Sequence, residues 1–261
     1  MVFVLDVGNT NIKCGLFKDD KLLSSWRMTT TLEQTSDEYG ITLINFFNHL
    51  GHSLDEIQGI IISSVIPSVN YTLTHMCHIY FNIDPMLVSP GIKTGIHIKY
   101  DNPKELGADR IVNAVAAYER YGGPVIVVDF GTATTFGVIN EKGDFLGGAI
   151  CPGLKISAEA LTLNAAKLPR VELTLPDSVI GKSTVSGMQA GLIYGFIGQV
   201  EHIIRRMKRE LGADTKVIAT GGMSYMIDGE SQHFDEIDRL LTLTGLNILY
   251  HKNKGEKREK S

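Results

Sequence analysis

The stretch Phe3-Val4-Leu5-Asp6-Val7-Gly8-Asn9-Thr10 returns 123 positions later as Ile126-Val127-Val128-Asp129-Phe130-Gly131-Thr132-Ala133. In both copies a run of apolar, mostly β-branched residues ends in Asp-x-Gly, which is typical of a buried strand followed by a turn. A second strand pattern, a polar turn and a third strand pattern follow in each copy. Two copies of a three-stranded meander predict a duplicated domain, with the second copy beginning after residue 121.

The segments around the meanders alternate between helix and strand patterns, which is typical of α/β proteins. In the first half, the pattern predicts helices at 36–50, 67–80 and 107–121 and a strand at 59–66. In the second half, it predicts a long helix that follows the N-cap candidates Ser183 and Thr184 and ends at Leu211, a strand at 216–220, a helix at 234–250 and a polar tail at 251–261.

Composition excludes several classes of protein. The chain has 261 residues, is 43% apolar, carries a net charge of -4 and has a pI near 6.1. The apolar fraction excludes intrinsic disorder, the charge offers no basic surface for nucleic acid, and no apolar run is long enough to span a membrane. Three widely spaced cysteines with no Cys-x-x-Cys pair predict a reducing, cytoplasmic location.

The turn after the first strand predicts a phosphate site. In the run Asp6–Lys13, a turn of Gly, Asn and Thr offers backbone N–H groups and hydroxyls to phosphate oxygens, and the strand-end carboxylate can hold a hydrated Mg²⁺. The alternative is an ordinary hairpin, because Asn and Gly are common turn residues. The second copy at Asp129, Gly131 and Thr132 favours the phosphate interpretation.

A second candidate site lies where a loop enters a helix, from Tyr100 to Arg110. Backbone N–H groups at a helix N-terminus attract anions, and Arg110 could pair with a carboxylate. Asp109 could accept a proton from an alcohol. The alternative is a plain helix start, with Asp in its favourable first turn and Arg on the surface.

Four motifs occur in the order seen in type III pantothenate kinases, and the sequence resembles that family over nearly its whole length. They are Asp6-x-Gly8-Asn9-Thr10, Gly107-Ala108-Asp109-Arg110, Asp129-x-Gly131-Thr132-Ala133-Thr134-Thr135 and Gly147-Gly148-Ala149-Ile150-x-Pro152-Gly153. The family belongs to the superfamily of actin, Hsp70 chaperones and sugar kinases. The resemblance implies an α/β fold of two duplicated ribonuclease-H-like domains, each a mixed β-sheet with flanking helices, with an ATP cleft between them. We expect these domains at 1–121 and 122–261.

The resemblance also implies roles for individual residues. A first phosphate loop for ATP is formed by Asp6, Val7, Gly8, Asn9, Thr10, Asn11, Ile12 and Lys13, with Asp6 near Mg²⁺. Thr132 contacts ATP from the second loop, Asp129 holds a monovalent cation (K⁺ or NH₄⁺), and Asp109 is the catalytic base. The pantothenate site is formed by Tyr100, Gly107, Ala108, Asp109, Arg110 and Thr184. Gly221-Gly222 resembles the nucleotide-side glycine pair of the superfamily, although close packing explains it equally well.

The implied reaction is the transfer of the γ-phosphoryl group of ATP to pantothenate, by a cytoplasmic homodimer that needs neither nucleic acid nor membrane. Phosphoryl transfer mainly requires positioning and charge neutralisation, which these residue types can supply. Two alternatives remain open from the sequence. One is a kinase of another small hydroxy acid or sugar, and the other is an ATP-binding regulator that acts through partner proteins.

Overall fold

The computed structural model describes residues 1–227, 229 and 231–255. Its strands are β1 (Val2–Val7), β2 (Asn11–Lys18), β3 (Lys21–Thr29), β4 (Gly59–Ser64), β5 (Met86–Leu87), β6 (His97–Ile98), β7 (Val125–Phe130), β8 (Ala133–Ile139), β9 (Asp144–Pro152), β10 (Lys216–Thr220) and β11 (Glu236–Ile237). The α-helices are α1 (Ser36–Leu50), α2 (Pro67–Phe81), α3 (Ala108–Tyr121), α4 (Leu154–Asn164), α5 (Thr184–Leu211) and α6 (Leu241–Asn253). Short 3₁₀ helices lie at Leu54–Glu56, Pro103–Glu105 and Ser224–Met226.

The first compact unit comprises residues 1–96, 101–116 and 240–255. Its sheet has the order β3-β2-β1-β4-β5, with β1 antiparallel to β2 and parallel to β4. Because side chains alternate along a strand, Phe3, Leu5 and Val7 share one face of β1, where they join a core with residues of α1 and α2. Asp6 therefore lies on the opposite face of the sheet, the face of Val4.

The second compact unit comprises residues 97–100 and 117–239. Its sheet has the order β11-β10-β7-β8-β9-β6, with β7 antiparallel to β8 and parallel to β10. Ile126, Val128 and Phe130 join a core with residues of α4 and α5. The alternation again leaves the aspartate of the motif, Asp129, on the opposite face of the sheet.

The two sheets have the same topology. The order β3-β2-β1-β4-β5 in the first unit corresponds to β9-β8-β7-β10-β11 in the second, and β6 adds one parallel strand at the edge beside β9. The meander is followed in each unit by two strands parallel to its first strand. The predicted α/β fold with duplicated mixed sheets and flanking helices is thus confirmed.

Most predicted elements lie where the sequence placed them. The helix at 36–50 and the strand at 216–220 have the predicted bounds, and Ser183 is the N-cap of α5 because its hydroxyl accepts the N–H of Ser186. The pattern missed α4, β5 and β6. The predicted tail at 251–261 begins inside α6, and its residues 256–261 lie outside the described part of the chain.

The predicted helix at 234–250 is wrong in its first seven residues. The segment begins with β11, which pairs with β10, and α6 begins only at Leu241. Asp238 is held there by side-chain bonds, because its Oδ2 accepts from the Arg120 guanidinium at 2.5 Å and from the Tyr121 hydroxyl at 3.1 Å. These tertiary bonds outweigh the local helix pattern.

The division into units differs from the predicted halves at the C-terminus. The predicted boundary at 121 lies close to the change of unit within α3, at Ala116/Ala117, but α6 belongs to the first unit rather than the second. This helix packs on β1, β2 and β4, and the Tyr250 ring lies so close to Gly59 that a Cβ there would overlap it. The first sheet is therefore covered on one face by α1 and α2 and on the other by α6.

Candidate active site

The first predicted phosphate loop is the turn between β1 and β2. Asp6 and Lys13 lie directly across from each other on the two strands, and Lys13 Nζ is 3.2 Å from Asp6 Oδ2. The Asp6 side chain is only 8% exposed and that of Lys13 is 25% exposed, so the two charges are paired at the edge of solvent. The pair places a carboxylate and an ammonium group beside the loop, as binding of Mg²⁺ and phosphate would require.

The tip of this loop is exposed and supported from one side. Asn9 and Thr10 are exposed, and the Gly8 N–H donates to Asn11 O at 3.0 Å. The neighbouring residue Thr30 contacts the loop twice: its hydroxyl donates to Gly8 O at 2.7 Å and its N–H donates to Thr10 O at 3.1 Å. These bonds tie the main chain of the loop to the segment after β3.

The predicted catalytic base lies in the first turn of α3. Asp109 is half-buried, and its Oδ1 accepts the N–H of Arg110 at 2.8 Å. Arg110 is itself 8% exposed. A Cβ on Gly107 would lie 2.5 Å from Asp109 Oδ1, so only glycine allows the carboxylate to occupy this position. A carboxylate held in this way on a helix N-terminus can accept a proton from a positioned alcohol.

The second Asp-x-Gly hairpin joins β7 and β8. Asp129 is half-buried, Thr132 is exposed, and the Gly131 N–H donates to Ala133 O at 3.2 Å. Gly221, at φ +96°, lies so close to the end of β7 that a Cβ would come within 2.5 Å of Asp129 Oδ1. Close packing therefore accounts for Gly221, whereas nothing lies within 4 Å of the Cβ position of Gly222.

The remaining predicted pantothenate residues belong to the second unit. Tyr100 is half-buried, with its ring 6.3 Å from that of Phe145, and Thr184 is exposed at the first position of α5. Gly107, Ala108, Asp109 and Arg110 belong to the first unit. The predicted substrate residues are therefore divided between the two units: Tyr100 and Thr184 lie in the second unit, and 107–110 lie in the first.

The described residues contain no group of three or more His, Cys, Asp or Glu side chains that could hold a metal ion. Mg²⁺ in phosphoryl-transfer sites is bound through one or two carboxylates together with the phosphates and waters. A single strand-end carboxylate such as Asp6, beside an exposed loop, fits a Mg²⁺ that arrives with ATP. The run His75-Met76-Cys77-His78 forms no such group either.

Comparison with known proteins identifies the family. The sequence profile described as type III pantothenate kinase matches residues 2–206. A type III pantothenate kinase from Geobacillus sp. (strain WCH70) is 56% identical over 257 residues, which cover 98% of this chain and 100% of the relative. This chain belongs to the type III pantothenate kinase family. The resemblance found in the sequence is thereby confirmed.

Solved structures support the fold at lower identity. A structure from Campylobacter jejuni, described as a Baf family transcriptional activator, has a TM-score of 0.61 at 20% identity and covers 97% of this chain and 98% of its own. A Listeria monocytogenes protein described as an N-acetylmannosamine kinase has a TM-score of 0.54 at 11% identity, and the match covers 97% of this chain and 99% of that protein. At these identities the likeness concerns the fold alone, and it agrees with the duplicated kinase architecture.

The structure shows one further polar residue beside the aspartate of each Asp-x-Gly motif. Ser63 on β4 is in register with Asp6, and Thr220 on β10 is in register with Asp129. Both are at most 1% exposed, and neither hydroxyl has a hydrogen-bond partner among the described residues. Sequence reasoning missed both, although aligning the ends of the two parallel strands to the repeat would have revealed them.

Cys14 and Cys151 both have raised thiol pKa values. Burial, and then the charge of Asp6, raise the pKa of the Cys14 thiol far above its ordinary value, and burial also raises the pKa of Cys151. The reactive form of cysteine is the thiolate, so both residues are held in their unreactive form.

No helix within the described residues has the length and apolar character that crossing a membrane would require.

Proposed function

We propose that this protein transfers the γ-phosphoryl group of ATP to the primary alcohol of pantothenate, giving 4'-phosphopantothenate, the first step of coenzyme A biosynthesis. The observation that carries the proposal is the 56% identity with a type III pantothenate kinase over 98% of the chain. The residues agree in kind: two equivalent Asp-x-Gly hairpins and a carboxylate at a helix N-terminus are groups for positioning phosphates and an alcohol.

The first loop is assigned to the phosphates of ATP. Mg²⁺ carried by ATP would neutralise charge on the β- and γ-phosphates. The Asp6 carboxylate would hold that ion, and Lys13, now paired with Asp6, would turn to a phosphate oxygen as a point charge. Val7, Gly8, Asn11 and Ile12 would shape this loop, and its exposed tip, Asn9 and Thr10, would face the phosphates. Thr132 would contact ATP from the second hairpin.

Asp109 is assigned as the catalytic base. It would orient the alcohol of pantothenate and accept its proton while the alcohol oxygen forms a bond to the γ-phosphorus. The bond between that phosphorus and the bridging oxygen breaks in the same step, and ADP leaves with the electron pair. Arg110 carries the charge needed to pair with the pantothenate carboxylate. Tyr100, Gly107, Ala108 and Thr184 would complete the substrate site.

Asp129 is assigned to a monovalent cation, K⁺ or NH₄⁺. The position across from it, which Lys13 occupies beside Asp6, is held by Thr135. On the other side lies Thr220, whose buried hydroxyl has no hydrogen-bond partner among the described residues. An oxygen-rich setting with no lysine across from the aspartate suits a K⁺ ion, which prefers oxygen ligands.

We also propose that the protein is a homodimer located in the cytoplasm. The second unit exposes several large apolar side chains on β9, α4, the loop before α5 and α5 itself, namely Ile150, Ile156, Leu163, Val179, Ile180 and Val185. Such side chains favour a covered surface, and a second copy is the occupant that the family suggests. Light scattering of the purified protein tests the dimer.

The cytoplasmic location rests on the three cysteines. All three are free and two of them are buried, which agrees with a reducing compartment.

The proposed activity is tested by measuring ADP formation with Mg-ATP, with and without pantothenate, in K⁺ and then in Na⁺ buffer. Pantothenate-dependent ADP formation that rises with K⁺ is the expected result. ADP formation indifferent to pantothenate would indicate another acceptor, and ATP binding without turnover would indicate a regulator.

Asp109→Asn should lose most turnover while still binding ATP. Asp37→Asn, which alters a first-turn acid of α1, is the matched control and should retain activity. Near-wild-type turnover of Asp109→Asn would contradict the base assignment.

A further inference from the structure

The segment between β3 and α1 supports the first phosphate loop, and we propose that Thr30 is a positioning residue for it. Thr30 lies 22 residues after Gly8, yet it bonds the loop through both its side chain and its main chain. The proposal rests on the proposed function of the loop as a phosphate site, because it assigns Thr30 the task of fixing the main chain of the loop tip that would face the phosphates.

The two bonds set the direction of the peptide groups around Asn9. Thr30 Oγ donates to Gly8 O at 2.7 Å, and the Thr30 N–H donates to Thr10 O at 3.1 Å. In a trans peptide the C=O and the following N–H point in opposite directions. Turning the carbonyls of Gly8 and Thr10 toward Thr30 therefore turns the N–H groups of Asn9 and Asn11 away from it. Asn11 O accepts the Gly8 N–H, so the Asn11 N–H points back toward β1. Asn9 lies at the exposed tip, and its N–H is therefore the donor that Thr30 orients at the tip of the loop.

Thr30 is itself held by a residue of the core. The hydroxyl of Tyr39 donates to Thr31 O at 3.0 Å and accepts the Thr31 N–H at 3.2 Å. Tyr39 is 1% exposed on α1 and belongs to the core of the first unit. A continuous series of bonds thus runs from the core through Thr31 and Thr30 to the loop. Support of this kind fixes a binding group before the ligand arrives, which lowers the cost of ordering it on binding.

The experiment compares Thr30→Val and Thr30→Ser with the wild type. Valine keeps the β-branched shape but removes the donor to Gly8 O, whereas serine keeps the donor. Thr42→Val is a matched control, because the Thr42 hydroxyl donates to Glu38 O at the same distance, 2.7 Å, within α1. Hydrogen exchange of the amides at positions 8 and 30 is measured without substrates, and KM for ATP and kcat are measured with pantothenate.

For Thr30→Val we expect faster exchange at positions 8 and 30 and a KM for ATP raised about tenfold, the factor that corresponds to 1.4 kcal/mol. The change in kcat should be smaller. Thr30→Ser and Thr42→Val should both keep wild-type exchange at positions 8 and 30 and a wild-type KM for ATP. Tyr39→Phe, which removes the bonds to Thr31 and keeps the ring, should shift the same amides by a smaller factor.

Two results would overturn the proposal. One is wild-type exchange at positions 8 and 30 in Thr30→Val together with a KM for ATP within twofold of wild type. The other is an equal rise in exchange over the whole first unit, because that would mean a general structural role. If the wild type does not phosphorylate pantothenate, the proposed function fails, but the exchange comparison still decides whether Thr30 holds the loop.

Discussion

A methyl group added at Gly107 should disable the candidate base without disturbing the fold. The added Cβ would lie 2.5 Å from Asp109 Oδ1, and the only other atom within 4 Å is Asp109 Cγ at 3.7 Å. A contact below about 3 Å is not tolerated, so the Asp109 carboxylate has to rotate. The rotation breaks the 2.8 Å bond from the Arg110 N–H and moves the proton-accepting oxygens away from their position on the helix N-terminus.

The size of the effect differs between activity and stability. Removing a positioned general base lowers rates by about 10² to 10⁴, so we expect Gly107→Ala to lose at least about 100-fold in kcat. The lost hydrogen bond costs about 1 kcal/mol of folding stability. Replacing glycine by alanine returns about 0.4 to 1 kcal/mol, because the unfolded chain becomes less flexible and Gly107 has no positive φ. The melting temperature should therefore change little.

The assay is pantothenate-dependent ADP release, with ATP binding measured by calorimetry and stability by thermal unfolding. Gly198→Ala is the matched control, because Gly198 is exposed on α5 and has nothing within 4 Å of its Cβ position. It should be fully active and slightly more stable. Gly107→Ala combined with Asp109→Asn should be no worse than Asp109→Asn alone, since both act on one group. Gly107→Ala that retains half of wild-type kcat would refute the argument.

Three further predictions concern other parts of the molecule. Asp129→Ala should abolish the difference in rate between K⁺ and Na⁺ buffers, and a K⁺ dependence equal to that of the wild type would remove the cation assignment. Ser63→Ala should leave the free energy of unfolding within about 0.5 kcal/mol of the wild-type value, because it removes a buried hydroxyl that has no hydrogen bond within the described residues. The same variant should lower kcat if that hydroxyl has its partner in the loaded site, and wild-type kcat would show that it has none. Burial, and then the Asp84 carboxylate, raise the pKa of Cys77 from 9.0 to about 12. The folded state therefore holds the proton more tightly than the unfolded state, and stability present below pH 9 is lost as the pH rises toward 12. Urea unfolding should show less stability at pH 10 than at pH 8, and Cys77→Ala should remove about 1 kcal/mol of that loss. An equal loss in the variant and the wild type would contradict the assignment.

The sequence predicted the elements whose signals are local. The apolar spacing of α1 and α5 and the β-branched runs of β1, β7 and β10 are properties of short windows, and each of these elements was found. The short strands β5 and β11 were not predictable in this way, because they contain two residues each and exist only because a parallel neighbour offers its edge. The helix α4 gave a weak signal, since only Leu154 and Ala158 on it are buried.

The residues of the candidate site also fall into those with a local signal in the sequence and those without one. The repeat drew attention to Asp6 and Asp129, since each stands at the end of an apolar run. The loop-to-helix pattern drew attention to Asp109, and the resemblance favoured its assignment as the base. The contacts that give the site its shape have no local signal. Thr30 reaches Gly8 across 22 residues of sequence, and Ser63 reaches the register position of Asp6 only through parallel pairing of β1 and β4. Such relations are set by the fold, so they appear only in three dimensions.

The two halves keep one topology but differ in charge where it matters for phosphoryl transfer. In the first unit the residue across from the motif aspartate is Lys13, and in the second unit it is Thr135. The ammonium group of a lysine beside a carboxylate can turn from that carboxylate to a phosphate, which agrees with the phosphate and Mg²⁺ site that we propose at the first hairpin. A threonine in the same position adds no charge, which agrees with the cation that we propose at Asp129. Replacing Thr135 by lysine should then mimic the cation and remove the K⁺ dependence, whereas a Thr135→Lys variant that still needs K⁺ would show that the charge across from Asp129 is not what the cation supplies.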